Sequence, residues 1–198
     1  TSATVTGLTP NTAYTFSVAA TNASGNGAAT AASPVTTLAG APTGLSVTAK
    51  TVNSVSLSWT APANATGVTY TVRGSAGGAL PAGASAAVTG TTAVVSGLAA
   101  NTSYVFSVIS TTAGGSSTPT ADTPATLTLP DVVTAVTTGS VTSTSVVVSW
   151  TAPANAAGLT YTVTGGGTVA ITGTSATVTG LTPNTAYTFS VAATNASG

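Results

Sequence analysis

The sequence predicts an all-β protein made of tandem antiparallel β-sandwich modules, and three observations lead to this fold class. Apolar side chains alternate with Ser or Thr along short segments, as in residues 54–59, where Val55, Leu57 and Trp59 fall on one face of a strand. Clusters of Gly, Pro, Asn and Ser interrupt these segments at short spacing. The segments also recur along the chain, and many short strands at regular spacing are typical of a sandwich or barrel.

Internal repetition sets the predicted domain boundaries. Residues 1–25 are identical to residues 174–198, and a weaker copy spans residues 91–108. A second element, Ser-Trp-Thr-Ala-Pro-Ala-Asn, begins at Ser58 and again at Ser149. We therefore expect a window from a longer array: the C-terminal part of a module (residues 1–38), a complete module (39–128) and a module lacking its last strand (129–198). An engineered chain that happens to start in mid-module is the alternative.

Alternation also predicts the strands and the inward-facing rows. Tyr104, Phe106 and Val108 form an inward row, repeated at Tyr14, Phe16 and Val18 and again at Tyr187, Phe189 and Val191. Residues 75–83 are predicted to be a loose, glycine-rich connection. The predicted strands of the central module are 45–49, 54–60, 69–74, 86–88, 92–96, 104–111 and 118–126.

A combination of spaced residues resembles fibronectin type III domains. The central module carries Trp59, Tyr70 and Val72, then Gly97, Leu98, Thr102 and Tyr104, and the set recurs at Trp150, Tyr161, Val163, Gly180, Leu181, Thr185 and Tyr187. The resemblance implies immunoglobulin-like sandwiches of seven antiparallel strands. It also implies that each Trp packs against the following Tyr, and that the later Tyr bonds through its hydroxyl to backbone upstream, as in a tyrosine corner.

Because the three strands of residues 1–38 have no opposing sheet, and residues 129–198 lack a strand, we expect the missing strands to come from continuing chain or from a neighbouring subunit.

Charge is almost absent, which restricts the function classes. The only charged residues are Lys50, Arg73, Asp122 and Asp131. Two basic residues are too few to neutralise a nucleic-acid backbone, and polar residues interrupt every apolar run, so neither nucleic acid nor a membrane span is expected.

Catalytic chemistry is equally unsupported by the composition. The chain has no His, Cys or Glu, so no catalytic, cofactor-binding or metal-binding residue and no cofactor is predicted, and the chain is not expected to be an enzyme. Asp122 and Asp131 could help to hold calcium, but solvated linker charges are the simpler interpretation. Lys50 and Arg73 are interpreted as strand-end charges, and Gly114–Gly115 and Gly165–Gly167 as turns.

The expected partners are copies of the chain itself or neighbouring repeats, because the outward positions are uncharged Thr, Ser and Ala. Glycans on surface Asn or Thr are an alternative, since N-x-Ser/Thr sequons occur at Asn22, Asn64, Asn101 and Asn195. The first functional hypothesis is a structural repeat of an extracellular filament, surface layer or giant adhesin at the cell surface. The alternative hypothesis is a set of spacer modules in a secreted polysaccharide-degrading enzyme. A ligand-binding module is a third hypothesis, but the aromatic residues are all assigned to core positions.

Overall fold

A computed structural model describes all residues from 1 to 198. The chain is built almost entirely of short strands, with one 3-10 turn at Ser75–Gly77. The first compact unit comprises Thr1–Thr48, Ser56–Val95 and Val105–Pro124, and the second comprises Ala49–Val55, Ser96–Tyr104 and Ala125–Gly198.

The strands, in chain order, are β1 (Ala13–Tyr14), β2 (Ser17–Val18), β3 (Thr21–Asn22), β4 (Gly25–Asn26), β5 (Thr30–Ala31), β6 (Val35–Thr36), β7 (Thr43–Lys50), β8 (Ser54–Thr60), β9 (Thr69–Arg73), β10 (Ser85–Thr89), β11 (Thr92–Ser96), β12 (Ser103–Tyr104), β13 (Ser107–Thr112), β14 (Gly115–Ser116), β15 (Thr126–Leu127), β16 (Thr134–Gly139), β17 (Ser145–Thr151), β18 (Thr160–Thr164), β19 (Thr168–Thr172), β20 (Ser175–Thr179) and β21 (Ser190–Thr194).

Most of the first unit consists of two antiparallel sheets. One has the strand order β10-β11-β8-β7 and the other β14-β13-β9, with Val108 opposite Val72 in the second. Trp59 is 5% exposed, and its ring lies 5.4 Å from that of Tyr70 in an edge-on arrangement. The predicted all-β sandwich and the predicted Trp–Tyr packing are both confirmed, because burial of large aromatic and branched side chains on alternate positions drives the two faces together.

The last predicted strand of the central module, 118–126, is wrong. Residues 117–125 form no regular strand, yet they run beside β13 and bond to it at every third residue. The N–H groups of Ser117, Thr120 and Thr123 donate to carbonyls of β13 and its preceding residue. Their hydroxyls in turn accept the N–H groups of the same partner residues, at 3.0–3.1 Å.

This hydroxyl ladder has a physical cause in the sequence. Pro119 and Pro124 lack an N–H and cannot complete an ordinary ladder, so Ser and Thr side chains supply the acceptors that backbone carbonyls would otherwise provide. The predicted strand 104–111 is likewise divided into β12 and β13, because the N–H of Phe106 bonds to the Thr123 hydroxyl rather than to a strand carbonyl.

The second unit repeats the arrangement. One sheet has the order β16-β17-β20-β19, and β18 pairs with β21, with Val163 opposite Val191. The Trp150 and Tyr161 rings lie 5.3 Å apart. The core of this unit consists of Val146, Val148, Trp150, Val163, Ala176, Val178 and Leu181.

Residues 1–38 form only two-residue ladders, which pair β1 with β6, β2 with β5 and β3 with β4. Val18 was predicted to face a core, but it is 75% exposed, and Val5 is 52% exposed. The prediction for Val18 fails because no second sheet packs on this face. An inward row requires a sheet opposite it, whatever the alternation of the sequence.

Candidate functional site at the module junctions

Asparagine residues in the left-handed backbone region mark the ends of the modules. Asn11, Asn101 and Asn184 occupy the same repeat position, with φ values of 50°, 47° and 56°, and Asn64 and Asn155 share another, both at 55°. Asn tolerates this conformation better than most residues, because its short polar side chain can bond locally. The chain therefore presents five asparagine side chains from fixed, sharply turned loops.

The predicted tyrosine corner holds the first of these loops in each module. The hydroxyl of Tyr104 accepts the N–H of Ala99 at 2.9 Å, and Tyr14 and Tyr187 repeat the contact with the residue five positions earlier, at 3.0 and 2.9 Å. Each hydrogen bond spans the loop that carries the asparagine. The corner therefore fixes the direction in which that side chain leaves the module.

These hydrogen bonds also change the acidity of the tyrosines. Hydrogen bonding from the Thr9 side chain and backbone lowers the pKa of Tyr14 from its ordinary value, and Thr182 has the same effect on the pKa of Tyr187. Burial raises the pKa of Tyr70, which lies beneath the core tryptophan. Corner and core tyrosines are therefore separated by their titration behaviour.

In the first unit, Asn11 and Asn64 hold residues 1–38 against the central module. The side-chain amide of Asn11 donates to the carbonyls of Asn64 at 2.6 Å and Thr66 at 3.0 Å. The amide of Asn64 donates in return to the Pro10 carbonyl at 3.3 Å and the Thr12 hydroxyl at 3.4 Å. We call this reciprocal pair an asparagine clasp.

The second unit contains the same clasp between Asn101 and Asn155. The Asn101 amide donates to the carbonyls of Asn155 and Ala157, and the Asn155 amide donates to the Ala100 carbonyl at 3.1 Å and the Thr102 hydroxyl at 3.4 Å. Five amide nitrogen or oxygen contacts thus recur at equivalent positions of both junctions. Such repetition indicates a built interface rather than chance contact.

Each junction has a further contact of its own. In the second unit, the Asn195 amide donates to Asn101 Oδ1 and to the Thr128 carbonyl, both at 2.8 Å. In the first unit, Gly114 lies so close to the linker that a Cβ would fall 2.3 Å from the Thr37 carbonyl oxygen. Only glycine fits there, so Gly114 serves the junction as well as the turn predicted for it.

The charged residues considered in the sequence lie elsewhere. Asp122 accepts the Ser75 hydroxyl at 2.8 Å and the Ala76 N–H at 3.0 Å, and so anchors the 3-10 turn. Asp131 accepts the N–H of Val132 at 2.8 Å. Arg73 is half-buried, and its Nε makes no hydrogen bond, which differs from the solvated strand-end charge expected. No group of three or more His, Cys, Asp or Glu side chains comes together in the chain.

The sequons have different surroundings. The amide nitrogens of Asn64, Asn101 and Asn195, to which an N-glycan would attach, all donate at the junctions. Asn22 is exposed, and its Oδ1 accepts the N–H of Ser24. The sequence analysis missed the clasps, although the recurrence of Pro-Ala-Asn and Asn-Thr at module ends was the signal that could have revealed them.

These folds and repeated motifs define a class of extended β-sandwich modules. The family model for the fibronectin type III domain matches residues 1–36, 40–126 and 131–198, and the chain belongs to this family.

Two curated proteins are similar to this chain. Chitinase A1 of Niallia circulans is 47% identical over 126 residues, which cover 58% of this chain and 17% of that protein. Exoglucanase B of Cellulomonas fimi is 34% identical over 222 aligned residues, which cover all of this chain and 20% of that protein. The chain therefore spans about a fifth or less of the length of these relatives.

A solved two-domain fibronectin type III segment of chicken tenascin has a TM-score of 0.47 and 22% identity, over 78% of this chain and 91% of that one. No helix of this chain has the length and apolar character needed to cross a lipid bilayer.

Proposed function

We propose that these modules are spacers of an extracellular polysaccharide-degrading enzyme and take no catalytic part themselves. The observation that carries the proposal is the asparagine clasp, which recurs at both junctions with equivalent donors and acceptors. The similarity to parts of a chitinase and an exoglucanase supports it. A spacer must hold other domains at a set separation, and clasped junctions restrict the bending between modules.

The chemistry of the clasp suits work outside the cell. All its bonds join neutral amides, carbonyls and hydroxyls, so they are not screened by salt as ion pairs are. The chain also lacks cysteine and methionine, the side chains most readily oxidised. A spacer of this composition keeps its junctions across a wide range of ionic strength and redox conditions.

The filament hypothesis is the second candidate, and one observation favours it. The identity between residues 1–25 and 174–198 is the pattern that a long periodic array would produce. The relatives, however, are named as enzymes, and this gives the spacer proposal the better support.

The gene on either side of this segment provides the test. The spacer proposal expects a neighbouring domain with paired carboxylates suited to glycoside hydrolysis, and continuation of the 173-residue period over many copies would instead favour the filament. In a second arm, the purified chain is mixed with insoluble chitin and cellulose. A spacer stays in the supernatant and releases no sugar, whereas retention on either polymer would identify a substrate-binding module and contradict the proposal.

A further inference from the structure

The third module has an open groove along one edge, which we call the edge groove. It has a volume of about 570 Å³, and its lining includes Thr142, Ser145, Asn184, Thr185, Tyr187 and Phe189. The N–H groups of Asn184 and Thr185 have no hydrogen-bond partner within the chain. The groove continues into β21, which pairs only with β18 and so has a free edge.

In the central module, the equivalent surface is covered. The N–H of Thr102 donates to the Thr128 hydroxyl at 3.0 Å, and the N–H of Thr128 returns a bond to the Thr102 carbonyl at 3.1 Å. The N–H of Asn101 donates to the Leu129 carbonyl, and the N–H of Leu129 donates to the Thr51 carbonyl. A Thr-Leu pair at the end of an extended segment is therefore what this surface binds.

Residues 1–38 show the same covering on the sequence that lines the edge groove. Thr12 N–H donates to the Thr37 hydroxyl at 3.0 Å, and Asn11 N–H donates to the Leu38 carbonyl at 2.9 Å. Tyr14 lies opposite Val35 in the ladder. Because residues 1–25 are identical to residues 174–198, each group that residues 26–38 contact in this stretch has an identical counterpart in the third module.

We propose that the edge groove binds residues 26–38 of a second copy of this chain, which add a strand to the free edge of β21. The segment is easily released, because two-residue ladders hold it and its apolar side chains are largely exposed: Val35 is 52% and Leu38 57% exposed. The free edge carries no charge and no proline that would block pairing.

The two surfaces of this contact are different, so the association is head-to-tail and propagates from copy to copy. It operates whether or not the modules flank a catalytic domain, so its failure would leave the spacer proposal untouched.

Disulfide trapping tests the register, and the chain has no native cysteine to interfere. Thr36 lies opposite Ala13 in the first ladder, so in the proposed contact it lies opposite Ala186. A chain with Thr36→Cys is mixed with a chain carrying Ala186→Cys under mild oxidation, and a covalent heterodimer is expected, because opposed strand residues are within disulfide reach. The matched control is Ala170→Cys, an exposed position of β19, which is expected to cross-link at least tenfold more slowly.

A peptide of residues 26–38 tests the ligand separately. Added to the 15N-labelled chain, it is expected to shift the amide signals of Asn184 and Thr185 and to suppress the heterodimer, and the same peptide with Thr37→Ala is expected to bind at least tenfold more weakly. Equal cross-linking of the two cysteine positions, or no shift at Asn184 and Thr185, would overturn the proposal. Peptide binding in the groove without any cross-link between copies would overturn the second copy as its occupant.

Discussion

Replacement of Asn101 by glycine tests whether the clasp stabilises its junction. The Asn101 side chain takes part in three hydrogen bonds: it donates to the Asn155 and Ala157 carbonyls and accepts from Asn195. A net value of about 0.5–1.5 kcal/mol for each bond applies to protein hydrogen bonds in general. The partners here are near the surface, where water can replace the lost contacts, so the low half of that range holds and the expected loss is about 2 kcal/mol.

Glycine is the informative replacement because Asn101 has a φ of 47°. Alanine would add the steric cost of the left-handed region to the loss of the side chain, whereas glycine adopts it without that cost. Asn184 is the matched control: its φ is 56°, it follows the same corner, and its side chain makes no hydrogen bond within the chain. Asn184→Gly therefore reports the backbone change alone.

Urea unfolding followed by Trp150 fluorescence measures the difference. A Trp59→Phe background leaves one reporter, and it costs no hydrogen bond, since the Trp59 indole nitrogen is buried without a partner. With a slope of about 1–2 kcal/mol per molar urea, Asn101→Gly should lower the midpoint of the third module by about 1–2 M relative to Asn184→Gly. Equal midpoints for the two variants would refute the clasp as a stabilising element.

Three further outcomes follow from the structure. Trp150→Ala should destabilise the third module by about 3–5 kcal/mol, measured by urea unfolding followed by circular dichroism, because the side chain is buried and leaves a cavity. Thr123→Val should cost about 1–3 kcal/mol because it leaves a buried N–H without its acceptor, whereas the exposed Thr118→Val should change stability by less than about 0.5 kcal/mol in the same assay. In a spectrophotometric titration, Tyr187 should ionise at lower pH than Tyr70, since hydrogen bonds from the threonine five residues earlier lower the pKa of the first and burial raises that of the second; loss of the early phase in Tyr187→Phe identifies it.

Much of the sandwich could be predicted from the sequence because it depends on local alternation. The strand 54–60 was predicted with the bounds that β8 has, and 92–96 with those of β11. The Trp59–Tyr70 contact and the tyrosine corner were also predicted, because residue type and spacing together specify them. These features repeat every module, so each copy strengthens the evidence for the others.

The hydroxyl ladder and the clasps were not predictable in the same way. A strand repeats every two residues, whereas Ser117, Thr120 and Thr123 recur every three and bond through their side chains, so the period of the pattern did not indicate a strand partner. The clasps join residues more than 50 positions apart. Nothing in the sequence beyond the recurrence of Asn indicates which loop meets which.

The duplicated segment separates the effect of sequence from that of surroundings. Val178 lies in β20 between β17 and β19 and is fully buried, whereas Val5, in the identical segment, has no neighbouring strand and is 52% exposed. Intrinsic propensity is the same at both places, so the difference is due entirely to the strands that lie alongside. The same reasoning applies in the opposite direction to residues 184–191: their copy at 11–18 is covered by residues 26–38, and the free edge therefore has the capacity to bind that segment wherever it is supplied.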